Sequence, residues 1–152
     1  MSYGAIETKL LTLLRTISGL TSSNCVAGDD SILDRGITQG IIIDAGRGPI
    51  NGPDDLPMVT REWDCKIALY VRITTKAAAH TALVSLRQSV VDLLQKYPTL
   101  GASYVFGSNL QGGEDPTDVQ LTVNDQPAGP VFRTQTLTLT VREFATPSGG
   151  SF

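Results

Sequence analysis

Histidine and cysteine are scarce. The 152 residues hold one histidine, His80, and two cysteines, Cys25 and Cys65. A nucleophile–base pair built on histidine would have to use His80, and no G-x-S-x-G elbow supplies its serine. Neither Cys-x-x-Cys nor His-x-x-x-His occurs, so the spacing of a zinc site is missing. No G-x-G-x-x-G follows a strand-like run, and GRGPING at 46–52 lacks the lysine of a phosphate-binding loop. The acidic pairs Asp29–Asp30 and Asp54–Asp55 sit in turn-forming sequence rather than across a pocket, as glycoside hydrolysis would need. With Asp34 added, the first pair still matches no calcium loop. These absences describe a protein that is not an enzyme and holds no cofactor or metal. A lone histidine on a helix reads as a surface residue.

Charge is also sparse. Charged residues are 18% of the chain and the net charge is −3, with the 12 lysines and arginines scattered. Tight phosphate binding needs a basic patch, and none is present. The N-terminus has no basic-then-apolar signal pattern, and no run approaches a membrane span. The reading is a protein made in a cytoplasm, without membrane contact. Cys65 falls on the apolar side of an alternating run, which predicts a buried free thiol. A Cys25–Cys65 bridge is the alternative.

The strongest positive signal is Arg61–Tyr97. Trp63, Cys65, Ile67, Leu69, Val71 and Ile73 alternate with Glu62, Asp64, Lys66, Ala68, Tyr70 and Arg72, which is the period of a half-buried strand. Thr74 or Thr75 then caps a long helix. Its core stripe is Ala79, Leu83, Leu86, Val90, Leu93, Leu94 and Tyr97, and Pro98 ends it. At about 100° per residue, His80, Val84, Arg87 and Val91 form a separate flank. That flank is a candidate subunit contact; the alternative is a core face widened by two valines.

Around this unit the chain predicts a helix over 3–18, with Tyr3, Ile6, Leu10, Leu13, Leu14 and Ile17 on one face and Gly19 as its stop. Lys9 and Arg15 lie off that face and are expected to meet solvent or a partner. Residues 21–35 read as an acidic loop with a helical turn at 31–35. Strands are expected at 37–45, weakly within 99–113, at 119–123 and at 131–144, with a turn at 124–130. Gly40 marks a bulge or a close backbone approach in the first of them. The loop at 46–60 is irregular, with three glycines and three prolines. Its apolar residues Ile50, Leu56, Pro57 and Met58 predict docking onto a neighbouring chain, against an ordinary surface loop. Arg47 in that loop and the final Phe152 complete the candidate interface residues. The tail at 145–152 has no independent reason to be ordered.

Two helices with one apolar stripe each can cover one face of a sheet. The expectation is a single domain over 1–152, an α+β two-layer sandwich. Its sheet is mostly antiparallel with four to five strands, apolar under the helices and polar on the other face, where Thr134, Thr136, Thr138 and Thr140 align.

In layout the chain resembles the tail terminator, or tail completion, proteins of long-tailed bacteriophages. The resemblance rests on AIETKLLTLLRTI, on the strands REWDCKIALYVRI and FRTQTLTLTVREF, and on AAHTALVSLRQSVVDLLQKYP between them. It spans most of the chain, and no single functional residue is carried over. What it implies is a structural virion protein of the tail–neck region, assembled in the host cytoplasm. Such a protein forms a hexameric ring on the tail tube protein, ends tube growth and presents a joint to a neck, stopper or head-completion protein. Genomic DNA passes through the lumen without specific binding. The alternatives are another neck component, such as a stopper or head-completion protein, and a small ligand-binding α+β domain.

Overall fold

The computed structural model describes residues 3–45, 50–51, 59–101, 105–111, 114–123 and 126–145. Helix α1 spans Tyr3–Leu14, and α2 spans Lys76–Lys96. The strands are β1 Cys25–Ala27, β2 Gln39–Ala45, β3 Ile50–Asn51, β4 Val59–Arg72, β5 Val105–Gln111, β6 Thr117–Val123 and β7 Gln126–Ala145. A 3-10 helix, Asp30–Arg35, lies between β1 and β2.

The alternating run at 61–73 is the centre of the sheet. β4 pairs with β7 along its whole length, from Val59 opposite Ala145 to Arg72 opposite Phe132. Fourteen residues at ~3.3 Å each make this spine about 45 Å long. The strand order is β1-β2-β4-β7-β5, with β3 also on β4 and β6 also on β7. The α+β sandwich is therefore the architecture, with a sheet that is wider and mixed. It has seven strands among the described residues, and β1 runs parallel to β2.

Period two sends Cys65, Ile67, Leu69 and Val71 to one face, where they meet Ile41 and Ile43 of β2 and Leu137, Leu139 and Val141 of β7. Both helices close over that face. α1 contributes Ile6, Leu10 and Leu14, and α2 contributes Ala79, Leu83, Leu86, Val90 and Leu94. Each of the leucines, isoleucines and valines, fully buried, stabilises the fold by about 1.5–3 kcal/mol before the entropy of ordering it is subtracted. Thr75 caps α2 by accepting from the Ala78 N–H at 3.3 Å. Tyr97 departs from the predicted stripe. The helix ends at Lys96, and Tyr97 stays exposed with its ring under the Lys96 ammonium, 5.5 Å from the ring centre.

The opposite face is not polar throughout. The 3-10 helix turns Ile32 and Leu33 onto Ile42 and Phe132, with Val26, Ile37, Tyr70 and Leu121 around them. Tyr70 and Phe132 meet edge to face at 6.2 Å between ring centres. This second apolar cluster covers one end of the face that the threonine row had marked as wet.

Gly40 is a close approach and not a bulge, because β2 keeps its register through it. A methyl there would lie 2.8 Å from Ile37 Cδ1 and 3.0 Å from the Asn24 carbonyl oxygen. Of the turn predicted at 124–130, residues 126–130 belong instead to β7, which pairs back on β6. Loop 46–60 contains the two-residue β3, paired to β4 at Thr60 and Arg61. Cys25 and Cys65 are both buried, and no disulfide joins them.

Candidate assembly surface

α2 sits over β4, β7 and β5, and its two flanks face different ways. Ala78, Ala79 and Ala82 line a 290 Å³ cavity with Thr38 and Gln39, on the β2 side. Leu94 and Gln95 line a 230 Å³ cavity with Ser108, Asn109 and Leu110 of β5. At about 100° per residue, His80, Val84, Arg87 and Val91 fall on the β5 side. β5 is paired only with β7, so this flank runs along one lateral border of the sheet.

The flank is poorly suited to water. Val84 is 52% exposed and His80 is exposed, while Arg87 and Val91 are half-buried. Between Lys76 and Asp92 the only permanent charge on α2 is Arg87, and the exposed positions are mostly Ala, Thr, Ser and Val. An isolated surface helix normally carries a charged outer face. The Arg87 Nε is buried and has no hydrogen-bond partner among the described residues. A buried donor left unpaired costs about 1–3 kcal/mol.

The other lateral border is a different surface. Asn24 O accepts from Ile41 N–H at 2.8 Å and Gly28 N–H donates to Ile43 O at 2.8 Å, which turns the groups of Cys25 outward. Both are closed within the subunit. The Cys25 N–H donates to Thr21 O at 2.9 Å, and its carbonyl accepts from Arg15 Nε at 3.0 Å and Nη2 at 2.8 Å. Arg15, expected to meet solvent or a partner, is therefore spent on its own chain. β1 is blunted as a template for strand addition. Burial pushes the Cys25 thiol up from 9.0 to about 11, against a smaller downward pull from the Arg15 charge. Above this border runs the outer flank of α1, where Glu7, Leu11 and Arg15 recur at four-residue spacing and all are half-buried. Glu7 has no partner among the described residues. The sequence signal for this flank is its i, i+4, i+8 spacing, which runs beside the core stripe.

The central polar sheet face carries cross-strand pairs of its own. Thr140 Oγ1 donates to Asp64 at 3.0 Å, Lys66 donates to Thr138 at 3.0 Å, and Arg142 lies 4.0 Å from Glu62. Thr140 is only 6% exposed in consequence. Of the other candidate interface residues, Ile50 lies in β3 opposite Arg61. Arg47, Leu56, Met58 and Phe152 lie outside the described residues.

Among the described residues no group of three or more His, Cys, Asp or Glu is arranged to hold a metal ion, and no helix is long and apolar enough to cross a membrane. No protein-family model and no curated protein matches the chain.

Proposed function

We propose that the chain is a structural ring subunit that caps a bacteriophage tail tube, ends its growth and provides the joint to the neck. The observation that carries this reading is the pair of unlike lateral borders. A closed ring is built from heterologous contacts, in which one patch meets a different patch on the next copy. The α2 flank, with exposed Val84 and half-buried Arg87, whose Nε has no partner among the described residues, is one such patch. The blunted β1 border under α1 is the other. The likeness of the chain's layout to tail terminators supplies the remaining specification. The ring is six-fold, the tube protein and a neck or head-completion protein are the axial partners, and DNA passes through the lumen. Scattered lysines and arginines at net charge −3 suit passage, because few phosphate contacts form.

Light scattering on the purified protein, over a range of concentrations, tests the subunit role. Six-chain rings, formed alone or on addition of tail tubes, are the expected species. A strict monomer at high concentration that also ignores tubes would overturn the reading.

A further inference from the structure

We propose that the α2 flank of one copy packs against the α1 outer flank of the next, with Arg87 paired to Glu7 and Val84 seated beside Leu11. This rests on the ring reading above and names the surface that closes the ring. Both flanks lie in the helical layer on opposite lateral sides of the subunit. Arg15 fixes which side of α1 faces outward, because it reaches down to the outward carbonyl of β1, and Glu7 and Leu11 share its stripe. The cavity between α2 and β5 fixes the outward side of α2.

The two flanks complement each other in charge and in texture. Arg87 brings a half-buried guanidinium, and Glu7 brings a half-buried carboxylate with no partner among the described residues. Exposed Val84 and half-buried Leu11 each present apolar surface that folding alone leaves unfinished. A guanidinium–carboxylate contact at such a border is drawn out of water on assembly and selects one register of helix on helix. Side-chain packing, and not strand addition, is the mode that the blunted β1 edge permits.

Charge reversal tests the pair. Glu7→Arg and Arg87→Glu are made singly and together, and the concentration at half-assembly is read by light scattering, with circular dichroism as the control for folding. Each single reversal should raise that concentration at least about tenfold, and the double reversal should return it to within about threefold of the parent. Folded single variants that assemble like the parent would overturn the pairing while leaving the ring intact. So would a folded double variant as impaired as the singles. A parent protein that forms no ring, with or without tubes, would instead defeat the ring reading itself.

Discussion

Arg15 donates twice to the carbonyl oxygen of Cys25, from Nε at 3.0 Å and from Nη2 at 2.8 Å. One side chain from the turn after α1 thereby satisfies an acceptor on the sheet edge and ties the first helix to the first strand. Arg15→Met keeps most of the aliphatic stem and removes both donors. The loss should be about 1–2 kcal/mol in urea unfolding, since charged hydrogen bonds are worth about 1.5–3 kcal/mol and this one is partly wet. An unchanged midpoint would mean that water serves the carbonyl equally well.

Cys25 should make stability depend on pH only under alkaline conditions. Burial raises its thiol from 9.0 to about 11 in the folded chain. Well below pH 9 the thiol is protonated in both states and contributes no slope. Between pH 9 and 11 the unfolded chain loses the proton first, so stability falls as pH rises. Unfolding midpoints of the parent and Cys25→Ala, measured from pH 8 to 11, should converge with rising pH. Parallel curves would contradict the assignment.

Gly40 should not tolerate a side chain. Alanine there would press on the Asn24 carbonyl, which is already held by the Ile41 N–H, and on Ile37. Overpacking of this kind costs about 1–3 kcal/mol. Thermal unfolding of Gly40→Ala against the parent checks it, and an unchanged midpoint would show that β1 and β2 can move apart freely.

Phe132→Ala should cost about 3–5 kcal/mol, as large aromatic truncations in cores do. Phe132 is fully buried between the 3-10 helix and Tyr70, on the face that binary patterning marks as polar. A cost near zero would mean that the second cluster is ornamental and the 3-10 helix is held by its Asp29 cap alone.

The parts of the fold legible in the sequence are those with a long, uninterrupted period. β4 and α2 declare themselves because 14 and 21 residues repeat one pattern. β1 does not, since three residues among turn formers carry no period and their pairing with β2 is parallel. The start of β7 was hidden by Pro127 and Pro130. Both lie before the point where β4 joins β7 at Phe132, so that side of the strand has no ladder for a missing N–H to break. The second cluster was hidden because Ile42, Tyr70 and Phe132 share their face of the sheet with Asp44, Arg72 and Thr134, two positions further along each strand. The α2 flank was legible from helical spacing. Its orphaned Arg87 nitrogen, and the α1 flank facing the other way, required the packing to be seen.

Electron microscopy of tail tubes mixed with the purified protein tests the central claim most directly. Six-fold caps seated at one end of each tube, with no protein along the shaft and no further tube growth, are the predicted result. Bare tube ends in the presence of folded, concentrated protein would contradict it.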